Sequence, residues 1–420
     1  MMNLPLNRNK PLIMHIDLNS CFATVTQQAN PLLRGKPLVI AAYDSPRGCV
    51  LAPSIEAKRY GVKTGMRVME ARMLCPQVIV MTNDTAMVRD VHMKFKKICR
   101  DYSTLVIPKS IDEVVIDFAP MENVLRQDLT DIGREIKKRM KKEIGEWMVC
   151  SIGIATNRFL AKTASSFKKP DGLVVITHEN LREIFSKLKL TDIHGINHRF
   201  QARLNIHGIF TPLHFLDAPL FLLKNQVFKS IGGYYWYKRL RGWEIDDVEF
   251  ARKSYGQEYS LGKHTDDPAE LSKIMMRLCE KMGRRLRGSG HAARGIHVAL
   301  LYKDYTYWHR GRMMDSQMYS TMELYRAAQF IFNQQPQRKV VVKLSVSCYD
   351  LIPSEKVQMG LFDEDPDKMK KVSDAMDRIN DRYGEFVITP ALMLSMDNKV
   401  LDRIAFGGGV KELEDLYETN

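Results

Sequence analysis

The chain has 420 residues, 45% of them hydrophobic, enough for at least one large core and about two to four domains of ordinary size. Lysine and arginine outnumber aspartate and glutamate by 63 to 49, a formal charge of +14; this suits a polyanionic partner and equally fits a basic surface kept for solubility. Seven scattered cysteines with no Cys-x-x-Cys pair or zinc-like histidine spacing read as reduced thiols in a cytoplasmic protein, and the lack of any run of about eighteen apolar residues makes secretion or membrane spanning unexpected.

In chain order, residues 11–16 form a short apolar strand ending at Asp17. Residues 36–43 and 49–52 read as a hairpin around the turn-like 44–48. From 124 to 147 apolar residues recur every three or four positions, which predicts an amphipathic helix on a sheet. A β-rich stretch at 148–155 and a helix over 157–167 follow, ending at Lys169-Pro170-Asp171-Gly172. Residues 177–243 are helical in pattern, and 244–252 read as a polar connector at a domain boundary. Beyond it, strands at 296–302 and 340–346 alternate with helices at 268–287 and 319–333, a second small α/β unit rich in arginine. After Tyr349 the chain is acidic and irregular, then helical to Tyr383, with little pattern at the end.

Two carboxylate clusters adjoin hydrophobic strands: Asp17 in HIDLNSCFA, and Asp112-Glu113 in SIDEVVID. Carboxylates meeting from separate strands are natural ligands for Mg²⁺, and a pair of such ions can activate a hydroxyl and stabilise a leaving pyrophosphate. Adjacent strand residues point to opposite faces, so Asp112 and Glu113 converge only if the chain bends, and Pro108 makes a turn there reasonable. Strand-end charges facing water are the plainer alternative. Ser54 begins a short capped helix carrying Lys58 and Arg59, which fits either a phosphate site or a solvated basic face. The segments 193–196 and 204–209 read as helices joined by tight glycine turns; these suit backbone contacts to a DNA phosphate or an ordinary helical core.

Together these segments resemble the Y-family (translesion) DNA polymerases, collinearly over about residues 10–350. HIDLNSCFA and SIDEVVID resemble the family's two metal motifs, IEAKRYGVKTGM its fingers helix, FLAKTASSFKKPDG its palm helix, and KSYGQEYS the strand opening its little finger. The resemblance implies an α/β multidomain right hand: palm 1–19 and 86–176, small fingers 20–85, helical thumb 177–243, linker 244–252, α/β little finger 253–351 and tail 352–420. It implies a template-directed, low-fidelity polymerase using two Mg²⁺ ions, with Asp17, Asp112 and Glu113 catalytic and Asp17, Leu18, Asp112 and Glu113 holding metal. It places Phe22 as the steric gate against ribonucleotides, and Cys21, Phe22, Ser54, Lys58 and Lys169 around the incoming dNTP. Gly195, Arg284, Arg285 and Arg294 are expected on primer–template DNA, and the chain is expected to be a monomer.

The chain departs from the family at Asn19 (often Asp), Cys21 (often aromatic), Ile55 (often Tyr), Lys58 (often Arg) and Asn197 (often Gly). Losing the Tyr hydroxyl and the Arg fork bears on nucleotide affinity, not on the metal motifs. Residues 358–362, with Gln358, Leu361 and Phe362, resemble the peptide by which bacterial polymerases dock on the sliding clamp; the alternative is a Leu-Phe pair packed on the body. Residues 376–384 resemble the tails of one branch of the family. A nucleotide cyclase and a catalytically weak DNA-binding scaffold are the rival readings. The first gives no reason for a basic second domain, and the second should have lost carboxylates that are all present.

Overall fold

In the computed structural model, which describes residues 4–247, 252–356, 366–384, 386–394 and 396, the apolar run before Asp17 forms a central strand, β1 (Ile13–Leu18), buried along its whole length. The chain continues through α1 (Cys21–Ala29), β2 (Leu38–Ala41), β3 (Val50–Pro53), α2 (Ile55–Arg59), α3 (Val68–Leu74), β4 (Ile79–Thr82) and α4 (Thr85–Arg100). Next come β5 (Leu105–Pro108), β6 (Glu113–Asp117), α5 (Leu129–Glu143), β7 (Cys150–Ala155), α6 (Arg158–Phe167) and β8 (Leu173–Val175). Four helices close this unit: α7 (Leu181–Ser186), α8 (His198–Ile206), α9 (Pro212–Asp217) and α10 (Gly232–Leu240).

The main sheet has the order β5-β6-β1-β7-β8, antiparallel except for β7 with β8. Strand alternation gives it two buried faces. Met14, Ile16, Leu18, Val114 and Ile116 pack against α4 and α5, while Ile13, Val115 and Ala155 join α6 and the helices after it. Complete burial of a side chain such as Ile16 or Ile116 contributes about 1.5–3 kcal/mol. A separate sheet, β3-β2-β4, carries the hairpin read at 36–52. Gly153 is required where α6 crosses β7: an added Cβ would meet Ala161 O at 2.0 Å and Ser165 N at 2.3 Å. Helix and strand touch main chain to main chain there.

The second unit, divided from the first at Glu249/Phe250, comprises β9 (Ser254–Thr265), α11 (Pro268–Gly288), β10 (His291–Tyr302), β11 (Tyr307–Met318), α12 (Thr321–Phe332), β12 (Val341–Pro353) and α13 (Pro366–Tyr383). Its sheet order is β11-β10-β12-β9, antiparallel throughout, with α11 and α12 packed on the core face. Helix α13 is held to this unit by Arg287, which makes a two-pronged ion pair with Asp377 (2.6 and 2.9 Å) and is itself buried. Arg284 also meets Asp381, and the Tyr319 hydroxyl donates to Asp374.

Two expectations change. The helix read from 124 starts at Leu129, because the Asp128 side chain accepts the Thr130 amide and caps it. Residues 244–246 of the expected connector belong to the first unit: Glu244 accepts the Arg158 amide at 2.9 Å and Asp246 pairs with Arg239. Among the described residues no helix is long and apolar enough to cross a membrane.

Candidate active site

The site begins where β1 ends. Asn19 and Ser20 turn the chain sharply, Ser20 with φ +52°, so that α1 starts at Cys21. Asn19 Oδ1 accepts from Ser151 Oγ (3.1 Å) and Asp171 N (2.8 Å), tying this turn to the loop that carries Lys169. Asp17 and Glu113 are direct partners across β1 and β6, so their side chains leave the same face of the sheet. Asp112 precedes β6, in the β5–β6 hairpin turn closed by Lys109 N and Ser110 N on Glu113 O (2.8 and 3.3 Å). Being outside the strand, it escapes the alternation that would send it to the opposite face. Its carbonyl accepts the Leu18 amide at 2.9 Å, which seats the turn against the end of β1.

Each acid has its own donor. Asp17 Oδ2 lies 2.7 Å from Lys169 Nζ, both Glu113 oxygens accept from Lys162 Nζ (2.9 and 2.7 Å), and Asp112 Oδ1 accepts from Ser110 Oγ at 2.5 Å. Burial raises the Asp17 pKa; Lys169 opposes the rise, and the charges of Glu113 and Asp112 add to it. Burial also disfavours charged Glu113, but His15 and Lys162 outweigh it and hold the carboxyl well below the usual carboxylate range. His15 is buried, with Nε2 3.8 Å from Glu113, too far for a hydrogen bond. Its Nδ1 lies 3.1 Å from Ser165 Oγ, which ties the ring to α6.

Around the acids, Cys21 is buried, its thiol pushed well above the usual value by burial and by the charges of Asp112 and Asp17. Half-buried Phe22 packs against the core under the main sheet and against the cluster of Ala23, Leu38 and Ile40. Ser54 is spent on structure: its hydroxyl caps α2 at Ala57 N (3.2 Å) and accepts the Leu38 amide (3.2 Å). Lys58 stands close enough to Lys169 and Asp17 to sense both, its pKa lowered by desolvation and by Lys169. Gly195 takes φ +90°, and an added Cβ would sit 3.2 Å from the Trp236 ring. With Lys109, Glu113, Arg158, Lys162, His194 and Arg239 it lines a cleft of about 400 Å³.

Of the expected DNA-binding arginines, Arg284 and Arg285 lie on α11, meeting Asp381 and the Gly256 carbonyl, while Arg294 on β10 pairs with Asp350 on β12. Gln358, Leu361 and Phe362 fall outside the described residues. Sequence reasoning missed His15, Ser110 and Lys162. The available signal for Lys162 was its place in the same helix motif that ends in the Lys169-Pro170 pair.

The donor set suits a hard divalent cation: three oxygen-bearing acids at one end of a sheet, with Asp17 destabilised by its two neighbours. Among the described residues no three His, Cys, Asp or Glu side chains are gathered to chelate one ion, and each of the three acids is held by a lysine or serine instead. The residues fit a cation that would displace those donors.

A model described as the impB/mucB/samB family matches residues 16–166, and one for the C-terminal domain of that family matches 252–361. DNA polymerase IV of Pelotomaculum thermopropionicum is 32% identical over 405 residues, 95% of this chain and 98% of its own. DNA polymerase IV of Moorella thermoacetica is 30% identical over 390 residues, 91% of this chain and 96% of its own. Among solved structures, a Y-family DNA polymerase chimera matches with a TM-score of 0.70 and 23% identity, and an insertion ternary complex of Dbh DNA polymerase with 0.57 and 22%; each match covers 81% of this chain and 99% of the other. At that identity the structures speak for the fold, a palm, fingers, thumb and little finger. Family models and near full-length relatives agree: the chain belongs to the impB/mucB/samB family of Y-family DNA polymerases.

Proposed function

We propose that this chain is a template-directed DNA polymerase of the lesion-bypass type, adding deoxynucleotides to a primer 3′ end with low fidelity. The observation that carries the reading is Asp17 facing Glu113 across β1 and β6 with Asp112 seated at the same end. Asp17, Asp112, Glu113 and the Leu18 carbonyl would hold divalent metal, two Mg²⁺ ions in this reading; bound there, they supply charge neutralisation for phosphoryl transfer and acidify the primer hydroxyl. The chain's own contribution is placement. The β5–β6 turn fixes Asp112, while Lys58 and Lys169 stand ready to meet the anionic triphosphate. Phe22, one residue into α1 and packed on Ala23, Leu38 and Ile40, would crowd a ribose 2′-hydroxyl.

Primer–template would contact the Gly195 turn through main-chain amides, and the second unit through Arg284, Arg285 and Arg294. A cytoplasmic monomer recruited to a bacterial-type sliding clamp by Gln358, Leu361 and Phe362 completes the proposal. The experiment is single-nucleotide primer extension by Asp112→Ala on undamaged and lesion-bearing templates. Extension should vanish while primer–template binding stays within about twofold, because affinity comes mainly from cations on phosphates. Retained extension overturns the assignment.

A further inference from the structure

The Glu113–Lys162 pair raises a question of chemistry. A carboxylate needed for metal has both oxygens taken by one ammonium, and the two side chains are 17% and 25% exposed. Lys162 reaches Glu113 because α6 rests directly on β7 at Gly153. The same ammonium lines the cleft that Arg158, Arg239, His194 and the Gly195 turn also line. Its lining sets Arg158, Lys162 and Arg239 against Glu113 and Asp246, with Arg239 paired to Asp246; Arg158 Nε is buried without a hydrogen-bond partner, and the pKa of His194 is lowered by burial and by the nearby charge of Lys162. Cationic and main-chain donors around a cleft of this size suit a phosphodiester.

We propose that Lys162 is a DNA-phosphate ligand that exchanges partners: it holds Glu113 in the DNA-free protein and gives it up when a primer-strand phosphate enters the cleft. Arrival of the phosphate satisfies the ammonium and leaves the Glu113 oxygens free for metal at the moment the primer is in place. No covalent bond changes in the exchange. His15, with Nδ1 fixed on Ser165, remains beside Glu113 and limits where the freed carboxylate can swing. The exchange rests on the reading of the chain as a DNA polymerase.

The test is equilibrium binding of a fluorescent primer–template to the full chain in EDTA across a salt series, where no chemistry intervenes. Lys162→Gln should weaken binding several-fold and lower the salt slope by about 0.9, the value for one phosphate, while Lys162→Arg keeps the parent slope. Glu113→Gln should tighten binding roughly two- to threefold by releasing the lysine, and that gain should vanish in the double variant. Should Lys162→Gln not fold, Glu113→Gln alone suffices: its gain should disappear on a primer with a neutral methylphosphonate at one backbone position. An unchanged slope in Lys162→Gln, or a gain from Glu113→Gln that survives both the second substitution and every methylphosphonate, overturns the exchange without touching the Asp112→Ala result. A parent chain that fails to bind primer–template at all overturns both readings.

Discussion

Lys169 Nζ lies 2.7 Å from Asp17 Oδ2, yet Asp17 still has a raised pKa, because burial and the charges of Glu113 and Asp112 outweigh the lysine. Its carboxylate therefore costs folding free energy at neutral pH. A carboxyl raised above its unfolded value of 3.8 makes the fold lose stability as pH climbs through and above that value. Asp17→Asn should raise the midpoint of thermal unfolding at pH 7 in EDTA by roughly 2–4 °C, with the difference shrinking toward pH 4. Added Mg²⁺ should stabilise the parent and not the variant, while nucleotide addition by the variant is lost. A variant less stable than the parent at pH 7 would show that Lys169 dominates.

Glu113 behaves oppositely. Its pKa is depressed below the ordinary 4.5, so its contribution is complete above that value and is lost as pH falls below it. Glu113→Gln should unfold at a lower temperature than the parent at pH 7 and converge with it in strong acid. A pH-independent difference would assign the effect to packing.

Phe22 lies five residues after Asp17 and packs beside the β2–β3 hairpin. Phe22→Ala should raise ribonucleotide relative to deoxyribonucleotide incorporation at least tenfold, about 1.4 kcal/mol of discrimination. Single insertions of ATP and dATP opposite template T measure it as a ratio of kcat/KM values. An unchanged ratio would make Phe22 a core residue only.

Asp377→Ala leaves buried Arg287 without its two-pronged partner, a loss of roughly 3 kcal/mol for a buried pair. Urea unfolding should show the lost stability in the second unit, and nucleotide addition at low temperature should be little changed. Arg284→Ala, whose aspartate partner is half exposed, should cost under about 1 kcal/mol.

Substituting Ala at Gln358, Leu361 and Phe362 together should remove stimulation by a bacterial sliding clamp and leave basal extension intact. Equal stimulation of variant and parent would reduce the peptide to coincidence.

Elements with strong local signals were legible in the sequence. Apolar β1 ending at Asp17, and the long periodic α11 and α12, lie within a few residues of their expected places. β11 was not legible: Tyr307–Met318 is an edge strand, mostly exposed, whose alternation carries His309, Arg310 and Arg312 instead of a clear apolar face. The bend at Asp112 was readable because adjacent acids conflict with strand geometry, and the structure resolves the conflict with a hairpin turn. The Lys162–Glu113 pair was not readable, since its partners are 49 positions apart and meet through the docking of a helix on a strand. The attachment of α13 was hidden for the same reason: Arg287 reads as one more surface cation until Asp377 is brought against it.

The bare contact at Gly153 restricts how this site can evolve. With α6 meeting β7 main chain to main chain at Gly153, the spacing of Lys162 from the acids is set largely by the backbone. Substitutions elsewhere on α6 leave that spacing intact. A larger residue at position 153 would lift the helix, and no single substitution on α6 would restore it.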